Sequence, residues 1–407
     1  MGCFSRNWPV HVFFFCQGMT LFGVGYAGLP LILLLFWLVA ASRNRFYIFF
    51  DLARDDRTRW VLFYYVIFIS SIIVSDIFTR GNFAHLDGPL YNLALGVYMS
   101  IGYLLTRSFR SNELQEIAHR WLAFWLLVLL ILVEADYREV YHYSHGIFSH
   151  PYILFSGVAM MSLANESYAI GRCNTKKLLS LGTAILVVWA LSCTYRYCTS
   201  DVLPPLFMSG AFMVLFLSTK RYSIYVSSML FFSGAAFILY DGHASACLRN
   251  FDLTSLDMSF IWHKLSSGRD YVWSAAVRII SQHPLFGVGS GRFSAACRSA
   301  MLEINPQPPY DTFTHAHSLL LQQFAVHGIF AGVAFIGLLF SLFRLIFHAV
   351  ESRDSSIFRL MMLGLWFVYF FYGLIDNATL YEEIIPLFWG SAGLLMGAVV
   401  GKKGGQE

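Results

Sequence analysis

The chain has 407 residues, of which 57% are hydrophobic, 17% aromatic and only 13% charged, with a formal net charge of +4. That balance excludes an ordinary soluble surface and points to an all-α polytopic membrane protein, since a chain in lipid has to satisfy its backbone hydrogen bonds internally. The net charge carries little information about partners and gives no reason to expect nucleic acid, because in such a chain the placement of Lys and Arg matters more than their sum.

A spanning helix needs ~20 apolar residues, and the pattern predicts about 12 of them. They fall at roughly 9–25, 27–42, 60–78, 89–106, 119–135, 150–168, 177–195, 201–218, 222–240, 316–344, 357–375 and 383–400. The first apolar stretch, Pro9 to Ala41, is too long for a signal-peptide core and reads as a retained anchor. Gly23, Gly25, Gly28 and Pro30 divide it, which favours a tight helical hairpin over one tilted helix. The expected organisation is therefore helices one to nine in residues 1–240, a loop domain in 241–315, and helices ten to twelve in 316–407.

Charge placement gives an independent reading of topology. With both ends cytoplasmic, every short inside loop is basic, from Arg43, Arg45, Arg54, Arg57 and Arg59 to Lys402 and Lys403. The basic residues left outside are Arg80, Arg138 and Arg196, followed by Arg249, Lys264, Arg269, Arg278, Arg292 and Arg298 in the long loop. One reading of them is a solvated loop domain with ordinary salt bridges. Guanidinium groups gathered at a membrane face otherwise suit phosphoryl oxygens, to which their planar fork donates two parallel hydrogen bonds.

Within that loop, GRDYVWSAAVRIISQ places Tyr271, Val272, Ala275, Ala276, Ile279 and Ile280 on one stripe and predicts an amphipathic helix lying at the membrane interface. Arg269 stands at its start, and His283 and Pro284 end it. The run LFGVGSGRF follows, with three glycines; it lacks the preceding strand and the full spacing of a dinucleotide fingerprint, and a plain turn is its simplest reading. The loop closes on THAHSLLLQQFAVHG, which sets His315 and His317 at the foot of the tenth helix. Histidine is the side chain that exchanges protons near neutral pH, so this pair facing a basic loop points to proton transfer on an anionic substrate. Asp376, in LIDNATL, is either a helix-end carboxylate in water or an acid that orients His or Arg, whereas His327 reads as structural. His315 and His317 stand two apart without an acidic partner at metal-ligand spacing, so no metal site is expected. The cysteines number seven and show no metal spacing; Cys247 with Cys297, and Cys193 with Cys198, could pair in an oxidising compartment, with buried free thiols as the default.

Several of these runs together resemble the O-antigen ligase superfamily, bacterial inner-membrane glycosyltransferases with a large periplasmic loop. The resemblance rests on Thr194, Tyr195 and Arg196 after a membrane helix, on GRDYVW with Arg269, on HPLFGVGSGRF, on THAHSLLLQQFAVHGIFAG, on GIFSHPYILFSG upstream and on Asp376 downstream. It covers roughly Gly146 to the carboxyl terminus, and the first 140 residues contribute only topology. Carried over to this chain, the family's essential His falls on His317, with Ser318 where most members have Asn. Its two arginines fall on Arg196 and Arg269, although Tyr195 and Tyr197 depart from the usual surroundings of the first. His315, Arg278, Arg292 and Asp376 would support them. The resemblance implies transfer of O-antigen polysaccharide from undecaprenyl diphosphate to a lipid A-core acceptor, at the periplasmic face of the inner membrane and among its lipids. It implies neither metal nor cofactor, and an inverting displacement with Arg196 and Arg269 on the diphosphate and His317 as base. A polymerase of the same superfamily is the nearest alternative, since Arg278 and Gly289 have a polymerase-like spacing; a protein O-oligosaccharyltransferase commonly carries a longer carboxyl-terminal part. A transporter is an alternative from a different class, but the chain shows no paired inverted halves and no intramembrane acidic relay.

Overall fold

The computed structural model describes residues 7–20, 28–41, 47–109, 111–137, 185, 208–212, 215, 269–306, 313–348, 356–377, 379 and 384–400. Its named elements are all helices: α1 (Trp8–Met19), α2 (Gly28–Ala41), α3 (Tyr47–Arg54), α4 (Arg59–Thr79), α5 (Pro89–Ser108), α6 (Ser111–Tyr137), α7 (Asp270–Gln282), α8 (Phe293–Ile304), α9 (Leu319–His348), α10 (Ser356–Ile375) and α11 (Ile384–Val400). Among the described residues four segments are long and apolar enough to cross a membrane: Arg59–Thr79, Glu113–Leu132, Leu319–Phe347 and Phe358–Ile375. Ile384–Val400 is apolar but shorter. The spans expected at 150–168 and 222–240 lie outside the described residues; of 177–195 only residue 185 is described, and of 201–218 only 208–212 and 215, all as helix.

The apolar runs form helices because each can bury one side against a neighbour and leave the other for lipid. On α4, Val61, Phe68, Ile69 and Ile72 are buried, and Phe68 meets Phe335 of α9 at a ring separation of 5.0 Å, while Phe63, Val66, Val74, Ile77 and Phe78 are exposed. The helices α5 and α11 approach through small residues. A Cβ on Gly393 would lie 2.0 Å from the Met99 carbonyl oxygen, and one on Gly102 would lie 2.2 Å from the Gly390 carbonyl oxygen. Thr106 locks this contact by donating from Oγ1 to the Leu394 carbonyl at 3.0 Å. Close packing of this kind holds helices together where the hydrophobic effect cannot, since lipid tails are as apolar as leucine. At the amino-terminal end α1 and α2 are separate helices that pack on each other, and α1 also packs on α6, where the Trp125 indole N–H donates to the Phe14 carbonyl at 3.1 Å.

A second, smaller core lies beside the bundle. Val272, Ala275, Ala276 and Ile279 of α7 pack on Phe293, Cys297, Ala300 and Met301 of α8 and on Ala316, Ala325 and Val326 around the start of α9. The apolar stripe of α7 therefore has the expected residues, but it is covered by protein rather than lying on a membrane interface; Tyr271 and Ile280 are its partly buried edges. Cys297 is a fully buried free thiol 3.7 Å from the Met301 sulfur, so it forms no bridge; Cys193, Cys198 and Cys247 lie outside the described residues.

One helix is broken where the sequence predicts continuity. Gly328, inside α9, has φ 79° and ψ −173°, a backbone region essentially reserved for glycine. The break releases the carbonyls that the next turn of helix would have used. Val288 N–H donates to the Ala325 carbonyl at 3.1 Å, Gly289 N–H to that of Val326 at 2.8 Å, and Ile329 N–H to that of Pro284 at 2.9 Å. The glycine run after α7 is thus fastened to the first turns of α9. A Cβ at residue 328 would sit 2.1 Å from the Leu285 carbonyl oxygen. Gly328→Ala should therefore destabilise the protein by more than about 1 kcal/mol, read as a lowered thermal midpoint of the detergent-purified chain. An unchanged midpoint would show that the break is not required.

Candidate functional site

The segment Phe313–Ser318 precedes α9 and carries both histidines. His317 has φ 44°, one of two non-glycine residues with positive φ among those described. A left-handed histidine needs its surroundings to hold it there. Three anchors do so. The Trp273 indole N–H donates to the His317 carbonyl at 3.1 Å, which ties the segment to α7. Ala316 N–H donates to Gln322 Oε1 at 2.8 Å, and Gln322 N–H to the Ser318 carbonyl at 2.9 Å, which ties it to the first turn of α9. His317 N–H donates to His315 Nδ1 at 3.2 Å, and the two rings lie 4.0 Å apart.

Asp376, at the end of α10, joins them from far along the chain. Its Oδ1 lies 3.3 Å from His317 Nδ1 and 3.8 Å from His315 Nδ1. The carboxylate is itself held by the Tyr372 hydroxyl at 3.2 Å and by Asn377 N–H at 2.7 Å. Asp376, which the sequence offers as a helix-end carboxylate or as an acid that orients His or Arg, thus stands beside both histidines, brought there on a different helix. Arg269, immediately before α7 and one turn from Trp273, contributes its charge to the same place. Burial, then the neighbouring His317 and then Arg269 push the His315 imidazole down to about 4, with Asp376 opposing them.

The remaining expected residues fare differently. Arg278 pairs with Glu303 of α8 at 3.0 Å and is largely exposed. Arg292 donates to the Arg80 carbonyl at 3.1 Å. Both guanidinium groups are thus used to fasten loop elements. Arg196 lies outside the described residues.

A set of buried polar residues from the first third of the chain also supports the site, although the sequence reading gave that region only a topological role. Asp87, in the connection between α4 and α5, accepts from His85 Nδ1 at 2.5 Å, from Gly291 N–H at 3.1 Å and from Gln322 Nε2 at 3.3 Å. Its carbonyl accepts from His327 Nε2 at 3.0 Å and from Asn92 Nδ2 at 2.9 Å. Near the carboxyl-terminal end of α4, Asp76 accepts from both Ser290 N–H, at 2.8 Å, and Ser290 Oγ, at 2.7 Å. The glycine run is thereby held between these two carboxylates, with Gly287, Gly289 and Gly291 all at positive φ. Asp76 inside the apolar run SIIVSDIFT was the one local signal available, an acid too costly to place in such a helix without a partner. His327, which the sequence reads as structural, is buried with its Nε2 on the Asp87 carbonyl.

The depressed His315 has a consequence for stability. Its folded value lies below the ordinary 6.5, so between about 6.5 and about 4 the unfolded chain binds the extra proton, and stability falls as pH falls through that window. The thermal midpoint of the wild type should therefore drop relative to that of His315→Gln as pH is lowered from 7 towards 5. A constant difference between the two proteins across that range would contradict the assignment.

Residues 178–336 match the family model described as O-antigen ligase. No curated protein matches the chain. The matched segment contains Arg196, Arg269, His315 and His317, and stops short of Asp376. His317, Arg269 and the glycine run all lie inside that segment, and over it the chain is similar to the O-antigen ligase family.

Proposed function

We propose that this protein is a membrane glycosyltransferase that moves O-antigen polysaccharide from undecaprenyl diphosphate to a lipid A-core acceptor at the periplasmic face of the bacterial inner membrane. The observation that carries this reading is the position of His317, held in a left-handed conformation beside Asp376 and against His315, whose imidazole feels the charge of Arg269. Asp376 faces Nδ1 of His317 and so favours the tautomer that leaves Nε2 free to accept a proton.

The reaction needs few parts. The acceptor hydroxyl oxygen attacks the anomeric carbon, the bond from that carbon to the diphosphate breaks, and its electron pair leaves on the diphosphate. The hydroxyl proton passes to His317. Arg269, with Arg196, supplies positive charge where the leaving group becomes more negative, which stabilises the transition state more than the ground state. A diphosphate is already a good leaving group, so the scheme contains no metal step. Both oxygens of Asp376 hold neighbouring groups, which suits an orienting acid better than a covalent nucleophile and favours a single inverting displacement.

A polymerase of the same superfamily would use the same groups on a second diphosphate-linked glycan. The Arg278 to Gly289 spacing that suggested it loses force, because Arg278 is engaged with Glu303. Purified protein, given a diphosphate-linked donor and a lipid A-core acceptor, should form the ligated product; elongated diphosphate-linked glycan would instead indicate the polymerase, and solute flux without transfer a transporter. In the same assay His317→Ala should lower turnover by about 10²- to 10⁴-fold, the range of a positioned general base. Asp376→Asn should cause a smaller loss. Near-normal turnover by a correctly inserted His317→Ala protein would remove the base from the scheme.

A further inference from the structure

We propose that His315, His317 and Asp376 form a binding site for a zinc-class dication, and that its occupation silences glycan transfer. The second half rests on the reading of His317 as the base. Each of the three residues offers one ligand atom, and these atoms lie within 4.8 Å of one another. The separations from Asp376 Oδ1, 3.3 Å to His317 Nδ1 and 3.8 Å to His315 Nδ1, bracket what a tetrahedral ion requires. Ligands ~2.0–2.2 Å from zinc stand roughly 3.3–3.6 Å from each other.

The surroundings favour the same ion. His317 Nδ1 is buried and makes no hydrogen bond, although Asp376 is in ion-pair range. Asp376 is oriented by Tyr372 and Asn377, the kind of outer support that fixes a metal-binding carboxylate. Two imidazoles and one carboxylate match the three-ligand set of open zinc sites, whereas magnesium and calcium prefer oxygen. Two features oppose binding. Coordination through His315 Nδ1 gives up its hydrogen bond from His317 N–H, and the charge of Arg269 acts on the same imidazole. Both make the site weaker than a structural zinc centre and therefore reversible.

Occupation would switch off the base by a simple exchange. A metal on Nδ1 of a neutral imidazole leaves the hydrogen on Nε2, so His317 can no longer accept the acceptor's proton. The site would thus make transfer sensitive to free zinc in the compartment it faces.

The test uses full-length protein in detergent, with zinc binding read by competition against a chromophoric chelator and by the absorption of cobalt put in its place. Thermal midpoints without metal establish that His315→Gln and Asp376→Asn remain folded. The wild type should bind one ion per chain, and each variant should bind at least about tenfold more weakly. Absence of binding, or binding unchanged in both variants, would overturn the site. Wild-type transfer should fall in step with occupancy and recover on chelation, and full turnover at saturating occupancy would overturn the inhibitory role. Binding is read without any glycan, so a protein that binds zinc at this site yet never transfers glycan contradicts the proposed function and leaves the site standing.

Discussion

The arrangement depends on one buried carboxylate, Asp87. In a largely apolar molecule an isolated ionised acid would be expensive, and this one is held by His85, Gly291 N–H and Gln322 together. Each partner belongs to a different part of the chain: the connection between α4 and α5, the glycine run after α7, and the first turn of α9. Satisfying a single charge therefore forces three segments to meet. Through the second end of Gln322 the constraint reaches Ala316, directly beside His317. Removal of one partner would leave a buried acceptor short of a donor and loosen the backbone that aims the histidine.

The interruption at Gly328 does the complementary work. An unbroken α9 would spend the carbonyls of Ala325 and Val326 within the helix, and the glycine run would have nothing to dock on. The break instead provides a rigid edge made of backbone groups, against which Ser290 and Gly291 are presented to Asp76 and Asp87. The unfavourable backbone of Gly328 and of His317 lies at the two ends of one short stretch, where strain is compensated by a dense set of hydrogen bonds. Such a stretch places a side chain more precisely than a free loop can.

Much of this was legible in the residues, and what was not follows from the range of the interactions. Apolar runs such as Arg59–Thr79 and Phe358–Ile375 declare themselves by length, and the stripe Val272, Ala275, Ala276, Ile279 declares α7 by its period. The covering of that stripe by α8 rather than by membrane is a tertiary fact that periodicity does not contain. His317 and Arg269 stand in short runs with recognisable neighbours. Asp376 offers two readings in sequence, a helix-end carboxylate or an acid that orients His or Arg, and Asp87 offers none, because what distinguishes them lies in partners brought from distant segments. The run FAVHGIFAG reads as continuous helix, since a helix tolerates an isolated glycine at modest cost and only the docking of Leu285 and Phe286 shows why this one breaks.

In the proposed reaction the labour is divided: Arg269 holds the diphosphate and His317 moves the proton. The most direct measurement of that claim is the affinity of purified His317→Ala protein for a diphosphate-linked glycan donor, taken beside its turnover. Donor binding close to that of the wild type, with transfer lost, is the predicted result. Loss of donor binding together with transfer, in a variant that is still folded, would mean that His317 grips the donor rather than activating the acceptor, and would contradict the account.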